Sequence, residues 1–225
     1  DTESTFYTTG ASNSDGLGDS VAFGDFDSDG YDDLVACSPG DDDAGSASGT
    51  CWVIAGASTR GSTDVHGTTV SSLDTAVVTG SAADDGAGLT PQSLSVGDLD
   101  GDGADDLAVG VPGYDGAVTD GGAVWVYLGG GVSGAETVAT ADYAVTGDGA
   151  LGTAVAMPGD LTGDGVTDLL GGATTAGATV GVVYLFEGGL AAGTYALPDD
   201  QYGSWKGKAA GDAFGTAIGG LRDLD

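Results

Sequence analysis

The chain has 225 residues, of which 35 are acidic and only four basic, for a net charge of −31. That balance excludes nucleic acid and anionic membrane surfaces as partners, because both are held by clustered Lys and Arg, and Arg60, Lys206, Lys208 and Arg222 make no basic patch. The 45 glycines follow no Gly-X-Y period, which excludes collagen, no apolar run reaches the roughly 18 residues of a membrane-inserting helix, and 40% hydrophobic residues are enough for a core.

In chain order, short Val/Ala/Leu-rich runs alternate with Gly/Asp/Ser clusters, which predicts an all-β chain with many turns and no long helix. The first unit reads as a small-residue turn ("TGASNSDGLGDSVA"), a short strand, an acidic loop from Gly24 ("GDFDSDGYDD"), an apolar strand ("LVACS"), a Pro/Gly turn, an aromatic strand ("TCWVIAG") and an outer strand ("TAVVTG"). The order recurs with "GDLDGDGADDLAVGVPG" from Gly97 and "GAVWVYLGG", then with "GDLTGDGVTDLLGGATT" from Gly159 and "GVVYLFEGG". The terminal "LRDLD" reads as the start of a fourth loop. Units of roughly 60 residues with four strands each predict β-propeller blades stacked about an axis, since a single blade cannot bury both faces of its sheet. The approximate repeats are 1–75, 76–143, 144–203 and an incomplete 204–225.

Cys37 and Cys51 flank "SPGDDDAGSASGT", which reads as the loop of a hairpin. Neighbouring antiparallel strands can bring two such side chains within bonding range, so a disulfide is expected; two buried free thiols are the alternative. The segments "GDDDAG" at 40–45 and "ADDG" at 83–86 read as solvated loop tips. Trp52 and Trp125 occupy matching strand positions and are expected to pack in the interior, whereas Trp205 is freer. The lone His66 has no partner that would make a nucleophile of a Ser, and no phosphate-cradling motif occurs, so no catalytic residues are assigned.

The acidic loops follow Asp-x-Asp/Thr-x-Asp-Gly-x-x-Asp. Oxygens at positions one, three, five and nine, with the carbonyl at seven, can converge on one point, and Gly at six permits the sharp bend. An all-oxygen shell of this kind suits a hard cation such as Ca2+, with Mg2+ or Mn2+ as weaker candidates. The ligand sets are Asp25, Asp27, Asp29, Tyr31 carbonyl and Asp33; Asp98, Asp100, Asp102, Ala104 carbonyl and Asp106; and Asp160, Thr162, Asp164, Val166 carbonyl and Asp168, with Asp223 and Asp225 opening a fourth. Neutral Thr162 should make the third site the weakest. An EF-hand is excluded, because position twelve is Ala36, Val109 or Gly171 rather than Glu and no helix follows.

These residues resemble FG-GAP repeats, the blades of the integrin alpha-subunit propeller. The FG element corresponds to Phe214-Gly215 and, relaxed, to Leu17-Gly18, Ala87-Gly88 and Leu151-Gly152. The GAP element corresponds to Gly110-Val111-Pro112, Cys37-Ser38-Pro39 and Gly172-Ala173-Thr174. The resemblance implies a ring of usually seven blades with calcium in loops on one face, of which about three and a half are present here. The remaining blades are expected from the rest of a longer chain or from another subunit. It also implies an extracellular, secreted or cell-surface propeller that binds a protein or glycan ligand or further copies of itself. An accessory propeller of a secreted hydrolase and a subunit of a surface filament or layer are the alternatives.

Overall fold

The structure, a computed structural model, describes residues 8–9, 15–56, 68–69, 76–88, 90, 92–130, 134–136 and 140–219. Three blades are built in sequence. The first consists of β2 (Ser20–Gly24), β3 (Asp33–Ser38), β4 (Thr50–Ile54) and β6 (Ala76–Thr79). The second consists of β7 (Leu94–Gly97), β8 (Asp106–Val111), β9 (Ala123–Tyr127) and β11 (Tyr143–Thr146), and the third of β12 (Leu151–Gly159), β13 (Asp168–Ala173), β14 (Val182–Phe186) and β16 (Gly203–Lys206). Within each blade, consecutive strands pair antiparallel. The all-β reading and the propeller blades therefore hold. Among the described residues a single four-residue helical turn, α1 (Ala176–Thr179), lies between β13 and β14.

A further strand joins each of the first two sheets. The chain between the third and fourth strands of blade two contains β10 (Gly134–Glu136), which pairs parallel with β6 of blade one. The corresponding stretch of blade three contains β15 (Gly193–Ala196), which pairs parallel with β11 of blade two. The same relation is seen between β1 (Thr8–Thr9) and β5 (Thr68–Thr69). Each unit thus reaches back and covers the outer edge of the blade before it, which removes an exposed strand edge.

The side chains of the third strands explain how the blades stack. Successive residues of a strand point to opposite faces. On β9, Trp125 and Tyr127 pack with Cys51 and Val53 of blade one, while Val124 and Val126 point the other way. On β14, Tyr184 and Phe186 pack with Val124 and Val126. On β4 the same large positions hold Trp52 and Ile54, packed with Leu17, Leu34 and Val77. Blades two and three therefore turn the bulky residues of their third strands toward the preceding blade, and blades one and two turn their smaller ones toward the following blade. Trp52 and Trp125 are buried as expected, and Trp205 is half-exposed. In blade three the pairing of β12 with β13 shifts between Ala156 and Gly159, where a bulge absorbs one extra residue.

The FG and GAP elements meet across these interfaces. A Cβ placed on Gly110 would lie 2.0 Å from the Gly152 carbonyl oxygen, and one on Gly172 would lie 2.2 Å from the Gly215 carbonyl oxygen. The glycine of one unit's FG element therefore sits backbone to backbone against the first residue of the preceding unit's GAP element. In blade one that GAP position is Cys37, and Gly88 packs on it instead, with room for no side chain.

Cys37 and Cys51 are register partners on β3 and β4 and form a disulfide. Both are fully buried beneath Gly88. Replacing both by Ala is expected to lower the free energy of unfolding by about 3 kcal/mol, from the loop entropy released in the unfolded chain. Urea unfolding of the double variant against the wild type reads this directly; equal midpoints would show that the bridge contributes nothing.

Two acidic segments differ from expectation. Asp41 and Asp85 are buried rather than solvated. The Asp41 carboxylate accepts the Thr50 hydroxyl at 2.9 Å and the Asp43 N–H. Asp85 accepts the N–H groups of Ser81 and Ala82 and the Ser81 hydroxyl, all at 2.7 Å. They close turns with their own carboxylates, which is why they lie inside.

Candidate cation-binding loops

Each acidic loop joins the first and second strands of its blade. The loops are shaped by their own carboxylates accepting N–H groups a few residues ahead, the Asx-turn habit of Asp. In the first, Asp25 accepts the N–H of Asp29 and of Gly30, each at 3.0 Å, and Asp29 accepts that of Tyr31 at 2.9 Å. In the second, Asp98 accepts Gly101 and Gly103, Asp100 accepts Asp102, and Asp102 accepts Ala104. In the third, Asp160 accepts Gly163, Asp164 and Gly165, and Asp164 accepts Val166. These backbone bonds, chiefly from Gly163 and Gly165, hold the Asp160 carboxyl below its ordinary range. The glycine at position six adopts φ of +89°, +93° and +94° in the three loops, a left-handed conformation that side chains strain against.

The carboxylate at position nine is different in kind. Asp33, Asp106 and Asp168 are buried at the start of the second strand. Asp33 accepts the N–H of Phe26 and of Gly56, Asp106 those of Leu99 and Gly129, and Asp168 those of Leu161, Thr162 and Gly188. It ties the loop to the end of the third strand. Burial pushes the Asp33 carboxyl up, and pushes that of Asp106 up to about 6.

Ligand oxygens bound to one Ca2+ at 2.3–2.6 Å can stand at most about 5 Å apart. One oxygen from each of Asp25, Asp27 and Asp29 lies within 4.8 Å of the others, and so do oxygens of Asp98, Asp100 and Asp106. The first two loops thus hold acidic groups that fit a divalent cation. No trio of carboxylates in the third loop, among the described residues, approaches this closely, because Thr162 stands in place of an Asp. Asp33 and Asp102 lie outside their loops' trios. Asp223 and Asp225 lie outside the described residues.

Sequence reasoning did not find position two or the glycines after the third strand. Phe26 and Leu99 are buried in the blade-to-blade cores, whereas Leu161 is half-exposed. The recurrent "AG", "LGG" and "EGG" at the ends of the aromatic strands carried the signal. Among the described residues, no helix is long and apolar enough to cross a membrane.

A sequence profile for the FG-GAP repeat matches residues 17–54 and 90–127, which span the first three strands of blades one and two with their loops. The chain is 35% identical to integrin alpha-5 of Xenopus laevis over 143 residues, 59% of its own length and 13% of that protein. It is 32% identical to integrin alpha pat-2 of Caenorhabditis elegans and 31% identical to integrin alpha pat-2 of Caenorhabditis briggsae, each across 100% of this chain and 18% of the relative. The chain therefore spans less than a fifth of the length of these relatives. It carries two FG-GAP repeats, folded as consecutive propeller blades, and is similar to integrin alpha subunits.

Proposed function

We propose that the chain is an extracellular, calcium-binding propeller segment that serves adhesion or ligand recognition and is not itself an enzyme. The observation that carries the calcium reading is the recurrence of one loop on one scaffold. Oxygen-only ligands crowd at positions one to five, and a buried carboxylate at position nine anchors the loop to the blade. Bare carboxylates at this spacing repel one another, and a cation among them removes that repulsion. The adhesion reading is supported by similarity to integrin alpha subunits across the chain. On that reading the segment works at the cell surface or after secretion, with a protein or glycan as ligand and with further blades completing the ring.

In the first loop the ion would be held by Asp25, Asp27, Asp29 and Asp33 with the Tyr31 carbonyl. In the second it would be held by Asp98, Asp100, Asp102 and Asp106 with the Ala104 carbonyl, and in the third by Asp160, Thr162, Asp164 and Asp168 with the Val166 carbonyl. Equilibrium dialysis of the chelator-stripped chain against Ca2+ is expected to find about three ions per chain, the third loop filling last. Asp102→Ala should weaken the second site more than Thr162→Ala weakens the third, because a charged ligand contributes more than a neutral one. Equal affinities before and after Asp102→Ala would count against that ligand set. For adhesion, the calcium-loaded chain would be applied to immobilised matrix proteins and to a glycan array. Binding lost in chelator supports the reading, and absence of binding on both supports overturns it.

A further inference from the structure

Adjacent acidic loops are hydrogen-bonded to one another through a Gly-Gly pair. Gly129 donates its N–H to Asp106 of the second loop at 2.7 Å, and the next residue, Gly130, donates to the Phe26 carbonyl of the first loop at 2.7 Å. One blade further on, Gly188 donates to Asp168 of the third loop at 3.0 Å, and Gly189 donates to the Leu99 carbonyl of the second at 2.7 Å. Within each loop the position-nine carboxylate in turn accepts the N–H of the same position-two residue, Phe26 or Leu99. The result is one continuous run of hydrogen bonds. It passes from Gly56 through Asp33 and Phe26 to the Gly129–Gly130 pair, through Asp106 and Leu99 to the Gly188–Gly189 pair, and on to Asp168.

The first glycine of each pair admits no side chain. A Cβ on Gly129 would lie 2.5 Å from the Asp105 carbonyl oxygen, and one on Gly188 would lie 2.1 Å from that of Thr167. Gly130 and Gly189 adopt φ of +71° and +63°, which turns consecutive N–H groups toward different loops. The first pair of loops has a second link, because Asp105 of the second loop accepts the N–H of Asp25, a ligand of the first, at 3.0 Å.

We propose that the Gly129–Gly130 and Gly188–Gly189 pairs are bridges through which the three loops bind cations cooperatively; this rests on the calcium reading above. A cation that orders one loop fixes its position-nine carboxylate and position-two peptide. These hold the bridging amides, so the neighbouring loop meets its own cation already partly ordered and gives up less conformational freedom on binding. Coupling of this kind typically changes affinity by about 5-fold or more. Among the described residues the second loop is bridged on both sides and the others on one, so the second loop is the hub.

Calcium alone, titrated calorimetrically into the chelator-stripped 225-residue chain, tests this. The wild type is expected to give an isotherm steeper than that of independent sites. Asp98→Asn, which disables the hub, should leave two sites, each about 5-fold weaker than in the wild type. Gly130→Ala keeps every carboxylate and disturbs only one bridge, so it should flatten the isotherm without changing the number of ions bound. Residual sites of wild-type affinity in Asp98→Asn, or a Gly130→Ala isotherm as steep as the wild type's, would overturn the proposal. A wild-type chain that binds no calcium would overturn the calcium reading itself, which separates the two failures. Should Asp98→Asn fail to fold, Gly130→Ala decides alone.

Discussion

In excess chelator the chain is expected to melt on the order of 20 °C below its melting temperature in saturating calcium. A ligand present at a hundredfold over its dissociation constant stabilises the state that binds it by about 2.7 kcal/mol. Three such sites act together here, and in a protein of this size each kcal/mol moves the midpoint by roughly 2–4 °C. The loops supply the reason. The carboxylates at positions one, three and five accept N–H groups of their own loop, at the open end of the blade. The position-nine carboxylate anchors each loop from below, and it is a charged group that is buried. Without a cation, that anchor and the carboxylates at positions one to five oppose one another. Melts followed by circular dichroism in CaCl2, in MgCl2 and in chelator would measure the shift. A fourth condition, chelator with high NaCl, separates the sites from general screening of the −31 net charge. Recovery by NaCl to the calcium value would mean that bulk charge, and not the loops, sets stability. An unchanged melt in chelator would sink the calcium reading.

Much of this architecture was legible because the sequence repeats. Strand order, blade number and the position of each acidic loop follow from three copies of one pattern, and the disulfide from two cysteines at opposed hairpin positions. What could not be read depends on contacts between units or on which way a group turns within its own unit. The strands β10 and β15 lie in segments with no strand-like alternation, and they exist because a neighbouring outer strand offers an open edge. Asp41 and Asp85 look like surface acids in sequence, yet each turns inward to cap its own turn. The carboxylate at position nine could be picked as a ligand. Its second role, tying loop to third strand, needed the partner N–H groups of Gly56, Gly129 and Gly188, which lie about twenty residues away. The glycines after the aromatic strands recur visibly, but a recurring Gly says only that space or backbone conformation is constrained. Which loop each amide serves is a property of the stacked blades.

The same limit applies to the FG and GAP elements, whose contacts lie between units. Gly110→Ala is expected to destabilise the chain by roughly 3 kcal/mol or more, a cost in the range of severe overpacking. The added methyl would meet the Gly152 carbonyl oxygen at 2.0 Å. That atom belongs to the backbone of the next blade, so no rotamer change relieves the clash, and the two blades must separate. Separation exposes the interface where Tyr184 and Phe186 pack on Val124 and Val126. It would also strain the Gly188–Gly189 bridge, whose bonds span the same two blades. The control is Gly203→Ala. Gly203 is also a strand glycine, on β16, but a Cβ there meets nothing within 4 Å, so the identical chemical change should be close to neutral or slightly favourable. Urea unfolding of the two variants isolates the contact between units from the intrinsic preference of Gly and Ala in a strand. Similar midpoints for both would mean that blade three does not rest on blade two through this glycine pair. A large loss confined to Gly110→Ala would mean that the FG and GAP glycines are the hinge-line of blade stacking. Their recurrence would then reflect the closeness of the backbones, and the cation chemistry would sit at the other end of the same strands.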